Sequence, residues 1–487
     1  MRNQRLLKGL QTLSFAVPSA KKSLFADSGA KKCESPGKKP PHWLGRVLQG
    51  ALLAAFSLAL FACATSTEHY RKIDAEMEGS SYTTALSLME SAKVKKNLYP
   101  KKNEILYYLD RGMIEHHAGL WEASSQDLQA GERLIEAAFT KSISQEISSF
   151  IANDNTRDYP GEDYEDLYIN VFNALNYYHQ GNLEGAMVEI RRLNEKLVYL
   201  AGKYEVAKEK VIKSNNKLSD NKDYIIEAKK FSNSALARYL GVLFYRAAGN
   251  RDSARIDLEK LVEAYDLAPS IYTNPVPLSL DEELAIPLGK ARFNVISFTG
   301  LSPVKEEVNI SIPLPFDPPN DWARLSLPQM INRPSAISRI EVILESADAA
   351  QDSARFELEL LEDMGTVARE TFSARYGLIL LKSTARTIIK NTVSAGTAKA
   401  AKEHSEGLGL LVGIIGAIAS NASEQADVRI ARYFPAYAYV GGITIDPGTY
   451  NVSVNFYGTG GLVSSELRRD VDIKERNLNL TEFICLK

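Results

Sequence analysis

The chain has 487 residues, 45% hydrophobic and 24% charged, which is enough for two or three domains that each bury a core. Its 58 Lys and Arg nearly balance 60 Asp and Glu, yet ten basic and only two acidic residues fall within residues 1–62, leaving 48 basic against 58 acidic in the remaining 425. That acidic remainder argues against a phosphate-backbone binder, whose basic surface would be its electrostatic footprint.

From the N-terminus, a basic leader with a Lys-, Ser-, Gly- and Pro-rich stretch from Pro18 to Pro41 precedes a charge-free apolar run, Val47 to Ala62, that ends at Cys63. A positive flank, a short apolar helix and small residues at the cleavage point are what an export signal needs. Leu60-Phe61-Ala62-Cys63 resembles the lipobox of bacterial lipoproteins, with an aliphatic residue three before the cysteine and a small one just before it. The resemblance implies a diacylglycerol on the Cys63 sulfur, removal of residues 1–62 and acylation of the new amino group. Each buried methylene contributes about 0.8 kcal/mol, so a cysteine carrying two or three chains holds a protein at a membrane. The alternative is an uncleaved signal anchor from Val47 to Ser66, at about 20 residues just long enough to span a bilayer. More than forty residues precede the apolar run, and no Met lies between Met1 and Met77. The leader is therefore either a disordered extension or the product of a start site upstream of the true one, which would lie near His42. With Cys33 in the leader and Cys63 lipidated, only Cys485 remains, which permits no intramolecular disulfide. It reads as a small apolar residue of a last strand, Phe483 to Leu486, with pairing between chains as the alternative.

Residues 63–285 carry apolar residues at helical spacing and few prolines. Three segments show a helix-turn-helix pattern: Tyr108, Gly112, Gly119, Trp121, Ser124 and Leu128; Tyr177, Gly181, Leu183, Ala186 and Ile190; Tyr245, Gly249, Ala254 and Leu258, with Pro269 beyond. These offsets resemble the tetratricopeptide repeat, and the turn glycines are separated by 62 and 68 residues, close to twice its period of about 34. The resemblance implies an α-solenoid whose stacked pairs offer a groove to a protein partner; the alternative is an irregular helical bundle. The charged stretch Glu195 to Lys230 reads as a long, mostly solvated helix pair.

Residues 290–487 change character to alternating strands, prolines and glycine turns. Strands are expected at Phe293–Thr299, Val308–Ile312, Ile337–Glu345 and Ala354–Leu361, and the prolines at 313, 315, 318 and 319 must be loop or sheet edge because they lack an N–H. Gly441–Tyr457 reads as strand-turn-strand around Asp446-Pro447-Gly448, similar to the Pro-Gly-x-Tyr strand pairs of small immunoglobulin-like or transthyretin-like sandwiches. Val471–Lys487 supplies two more strands. A helical insertion is expected at about 365–426, including the apolar Gly407–Ala419, too short to span a membrane and read as a buried core helix rather than a membrane-dipping hairpin. The expected class is α+β multidomain: a leader (1–62), a solenoid resembling tetratricopeptide repeats (63–285) and a mostly antiparallel, sandwich-like β domain with a helical insertion (290–487).

This layout, together with Ala426-Asp427-Val428-Arg429, Phe434-Pro435 and Pro447-Gly448-Thr449-Tyr450, is similar to a group of uncharacterised bacterial envelope lipoproteins. The resemblance implies location and architecture, with no activity, ligand or catalytic residue attached. A direct search for chemistry is equally bare. His116 and His117 are neighbours that point about 100° apart on a helix and cannot chelate one metal, and His69, His179 and His404 stand alone, so structural roles are expected. No Gly-x-Ser-x-Gly elbow or Walker loop occurs. Asp158–Asp166 reads as an exposed acidic loop before a helix, with calcium binding as the alternative. The expectation is a non-enzymatic scaffold anchored by lipid at Cys63, without other cofactor, binding a protein at the repeat groove and no nucleic acid. Ala64 in place of aspartate favours the outer membrane, facing the periplasm. A substrate-binding accessory of a transport or export system is the alternative, with a pocket between repeats and β domain; a cell-wall or lipid enzyme is the third.

Overall fold

The structure is a computed structural model that describes residues 70–96, 98–144, 157–214, 231–313, 322–347, 353–373, 375, 376, 379 and 426–487. The described residues belong to one compact unit. The helical region comes first: α1 (70–78), α2 (Tyr82–Lys96), α3 (Glu104–His117), α4 (Trp121–Ser144), α5 (Asp163–His179), α6 (Leu183–Ser214), α7 (Ala235–Ala247) and α8 (Arg251–Leu267). The β region follows, and the α+β class expected from the sequence is observed.

Three helix hairpins, α3–α4, α5–α6 and α7–α8, pack in chain order, α4 against α5 and α6 against α7. Their turns are built alike. Gly119, Gly181 and Gly249 sit at φ of 75°, 76° and 74°, the left-handed region that glycine enters without strain. The next residue closes each turn: Leu120 N donates to Glu115 O, Asn182 N to Tyr177 O and Asn250 N to Tyr245 O at 2.8–2.9 Å, satisfying carbonyls that the helix end orphans. Asn182 and Asn250 then cap the second helix, accepting from Gly185 N and Ser253 N. Of the helix pair expected over Glu195–Lys230, the first part is continuous with the second helix of its hairpin. It extends α6 to Ser214, and the rest of that stretch lies outside the described residues.

The strands form two four-stranded sheets and a ribbon. The inner sheet runs in the order β10 (Asn479–Cys485), β1 (Ala291–Thr299), β7 (Tyr437–Ile445), β6 (Glu359–Asp363); the outer runs β5 (Ala354–Glu357), β4 (Arg339–Ser346), β8 (Gly448–Gly458), β9 (Gly461–Ile473). All pairs are antiparallel except β1 with β10. β2 (Val304–Pro313) and β3 (Trp322–Ile331) make the ribbon. Phe293 and Val295 of β1 pack with Val342, Val452 and Val454 of the outer sheet, whereas Ile296 and Phe298 share the core of the helices. The molecule therefore has three layers, helices, inner sheet and outer sheet, and β1 is buried along its whole length because it faces two cores.

Two readings of the strands need correction. β7 and β8 do not pair with each other: Asp446-Pro447 carries the chain from the inner sheet to the outer, with Tyr450 Oη donating to Asp446 O at 2.9 Å and Lys290 paired to the Asp446 carboxylate. Ala354–Leu361 is not one strand. It breaks at Leu358, whose N donates to Ile340 O, so that β5 joins the outer sheet and β6 the inner. Both are sandwich corners, and a period of two looks the same in a strand whichever sheet it joins. β3 was not foreseen. Pro328 fits there because a two-stranded ribbon has an open edge on each strand. A helix at 364–373 begins the expected insertion, and the proposed core helix Gly407–Ala419 lies outside the described residues.

Gly112 lets α4 approach α3, since a Cβ there would lie 2.9 Å from Leu128 Cγ and Cδ2 in the core. Gly112→Ala should therefore destabilise the chain by about 2 kcal/mol, read from the urea midpoint. Gly119→Ala should cost about 1 kcal/mol through its positive φ alone.

Candidate functional sites at the helix–sheet interface and on the outer helices

The first helix of each hairpin, α3, α5 and α7, faces the inner sheet, and polar side chains cross that interface in clusters around buried carboxylates. Burying a carboxylate is costly unless donors surround it, so each cluster is a built feature. Glu482 of β10 is the clearest. His116 Nε2 and His179 Nε2 each lie 2.8 Å from one of its oxygens, and Trp121 stacks on the His179 ring. A chain of bonds orients His116. Ser124 Oγ donates to Gly112 O, so it accepts from Asn176 Nδ2, which turns Asn176 Oδ1 toward His116 Nδ1 at 2.7 Å. Both ring nitrogens then face acceptors, the arrangement that suits an imidazolium against a carboxylate. Burial alone would raise the Glu482 carboxyl, but the charge and hydrogen bonds of His116, with those of His179, hold it well below the usual carboxylate range.

Glu362 of β6 has no cation beside it among the described residues and is held by Tyr168 Oη at 2.7 Å, Tyr272 Oη at 2.6 Å, Ser234 Oγ at 3.0 Å and Leu236 N at 3.3 Å. Burial raises its carboxyl, and these donors counter the rise. Glu283 instead meets Arg246 and Arg292, and Asn294 Nδ2 donates to it at 2.7 Å. The acidic stretch Asp158–Asp166 was expected to be an exposed loop, and this is corrected: Tyr159, Glu162 and Glu165 are buried. Glu162 pairs with Lys305 of β2 and with Arg375, and closes a capping box on α5 with Glu165. Charge composition cannot reveal burial when the compensating cations lie more than a hundred residues away.

Of the residues singled out from sequence, Leu60, Phe61, Ala62 and Cys63, with His69 and His404, lie outside the described residues. His116 and His117 diverge as expected, His117 Nε2 donating to Tyr433 O at 3.0 Å, and burial drives its ring down to about 3, which keeps it neutral. His179 is not solitary, because Glu482 joins it to His116. Cys485 is a buried thiol of β10. Among the described residues no group of His, Cys, Asp and Glu is placed to hold a metal ion, and no helix is long and apolar enough to cross a membrane.

A cleft of about 310 Å³ opens between α4, α5 and α6. Ile135, Leu167, Tyr199 and Leu200 give it apolar walls, and Lys196 bridges Glu132 at 2.6 Å and Asp166 at 2.7 Å along one side. Arg192 adds a bond to Glu132 at 2.8 Å, so the cations of the cleft are already engaged. The second helices α6 and α8 expose Val188, Val198, Tyr199, Ile256, Val262 and Leu267.

Scans against protein-family models, curated proteins and solved structures return no match for the chain.

Because Glu482 is held below its unfolded value, its contribution is complete above the ordinary carboxylate range and is lost as pH falls through and below about 4.5. Glu482→Gln should cost about 3 kcal/mol at pH 7, by leaving His116 without its counter-charge. It should also flatten the loss of stability between about pH 5 and pH 3, measured by urea unfolding at each pH.

Proposed function

We propose that the chain is a lipid-anchored, non-enzymatic protein of the bacterial envelope whose hairpins, of tetratricopeptide type, form an interaction scaffold. Cys63 carries the lipid behind the lipobox Leu60-Phe61-Ala62, and Ala64 directs the protein to the outer membrane, facing the periplasm. Tyr70, the first described residue of α1, lies seven residues after Cys63, and seven residues span at most about 25 Å. The anchor thus holds the folded body close to the bilayer surface.

The observation that carries the scaffold reading is the asymmetry of the array. Its first-helix face is covered by the chain's own sheet, while the second helices leave apolar side chains and a cleft in solvent. The partner is a protein that docks on α6 and α8, in contrast to a peptide lying along the inner groove. The alternative, a substrate-binding accessory of a transport system, draws support from the cleft, whose volume is within the range of small-molecule sites.

Palmitate labelling in a bacterial host tests the anchor: label should be lost in Cys63→Ala, and precursor should accumulate under a signal peptidase II inhibitor. An unlabelled protein that stays in the membrane would replace the lipoprotein with a signal-anchored protein. A photo-crosslinking residue at Val198 should capture an envelope protein in cells, whereas the same residue at the buried Val295 should not. Absence of any adduct at Val198 counts against the scaffold.

A further inference from the structure

The irregular segment 426–436 lies between the sheet and the helices and leads into β7, a central strand of the inner sheet. It is gripped mainly by its backbone. Ala431 N donates to Glu165 Oε1 at 2.6 Å and Arg432 N to Asp110 Oδ1 at 2.7 Å, so two successive hairpins each hold one of two consecutive amides. Tyr164 and Ser302 donate to Ala431 O, Arg333 to Arg432 O and His117 to Tyr433 O. Both carboxyls are buried, at 1% exposure for Asp110 and 0% for Glu165.

Among the described residues neither carboxyl bonds a cation. Around Asp110 stand Tyr99, Tyr70, Tyr164 and Tyr433, with Asp74 of α1 and Arg432; the Arg432 guanidinium bypasses Asp110 and binds Asp74 at 2.6 Å, and Arg333 lies 3.7 Å from the Asp74 carboxylate. Around Glu165 stand Tyr159, Tyr164 and Glu162, and the nearby Lys305 and Arg375 are both spent on Glu162. What each carboxyl has is a phenol. Tyr99 Oη lies 2.8 Å from Asp110 Oδ2, and Tyr159 Oη lies 2.8 Å from both Glu165 oxygens. A protonated Asp110 keeps both partners: Oδ1 still accepts from Arg432 N, while the bond that Tyr99 Oη donates to the ionised Oδ2 reverses, the acid proton being donated to the Tyr99 oxygen. The charged form keeps the same contacts only by holding an unpaired anion in the interface.

We infer that Asp110 and Glu165 form a proton-sensitive latch, closed on residues 431–432 when the two carboxyls are protonated and loosened when they ionise. The direction is opposite to ordinary acid unfolding. Burial pushes the Asp110 carboxyl up to about 7, and burial with the Glu162 charge pushes Glu165 up to about 8. In an opened segment both return to ordinary carboxylates, so the closed state holds the protons more tightly and is favoured at lower pH. The latch is strongest below the ordinary carboxylate range, weakens steadily as pH rises from there through 7 and 8, and levels off once both closed-state carboxyls have ionised.

Amide exchange and thermal unfolding of the full chain between pH 6 and pH 8.5 test this. After correction for intrinsic base catalysis, Ala431 and Arg432 should lose at least about a hundredfold protection over this range, about tenfold of it through Asp110, and the thermal midpoint should fall. Asp110→Asn copies the protonated acid, with its carbonyl toward Arg432 N and its amide donating to Tyr99. It should therefore fold and show about tenfold less alkaline loss at Arg432. Glu165→Gln is a poorer mimic, because Glu162 N also donates to Oε2 at 2.8 Å. Protection that holds or rises from pH 6 to pH 8.5 in the wild type overturns the latch, as does an unreduced loss in Asp110→Asn. If Asp110→Asn does not fold, the wild-type exchange profile decides alone.

Discussion

The structure depends on burying carboxylates between a helical array and a sheet. Asp110, Glu165, Glu283, Glu362 and Glu482 are each 3% exposed or less, and all lie where helices meet the inner sheet or its flanking segments. An isolated anion there would cost several kcal/mol, so every one has drawn in donors from at least two chain regions. Glu482 is reached by α3 and α5, Glu362 by α5, α7 and the loop around Tyr272. Removing either layer would strand these groups. The helices and the sheet are therefore stable together, and the interface behaves as one cooperative network in place of a sum of separate bonds.

This changes the physics of the helix hairpins. A free solenoid is quasi-one-dimensional: each repeat touches only its neighbours, and the stack flexes along its length. Here Phe172 of α5 packs against Phe298 and Phe434, and Tyr178 donates to Leu480 O across 302 residues of sequence. Contacts at such separation tie hairpins to a common sheet as well as to each other. The inner sheet can serve as that support because the outer sheet covers its far face, and the two corners, at Leu358 and at Asp446-Pro447, stitch the sheets together.

Features set by local chemistry were legible in the sequence. Gly119, Gly181 and Gly249 mark turns that need positive φ, and the alternation around Ile443 and Val452 marks strands because side chains there have one face to bury. What escaped depends on long-range pairing. Alternation says that β7 and β8 are strands, but the choice between a hairpin and a corner rests on β1 and β4, which lie more than a hundred residues earlier and take them as partners. β9 carries Glu466 and Arg468 at a sheet edge, with little apolar signal to read. The carboxylate sites were hidden for the same reason. Nothing near Glu482 announces His116, 366 residues away, and the acidic run at Asp158–Asp166 looks solvated until Lys305 and Arg375 are placed beside it.

Clamping one face of the array has a consequence for the other. Binding to a flexible surface spends part of the interaction on ordering that surface, so a partner gains affinity when the surface is already fixed. With α3, α5 and α7 held to the sheet by buried polar bonds, the second helices packed on them inherit fixed positions. The exposed Val188, Val198 and Tyr199 on α6, and Ile256, Val262 and Leu267 on α8, are then presented in a constant arrangement. A proton-dependent contact on the inner side does not touch that surface directly, yet it bears on it through the two first helices that carry Asp110 and Glu165. On the proposed latch, loosening residues 431–432 relaxes the support beneath α4 and α6, and a partner of the kind proposed would then have to supply that order itself. The buried acids that make the array rigid are thus also the groups through which its rigidity can be adjusted.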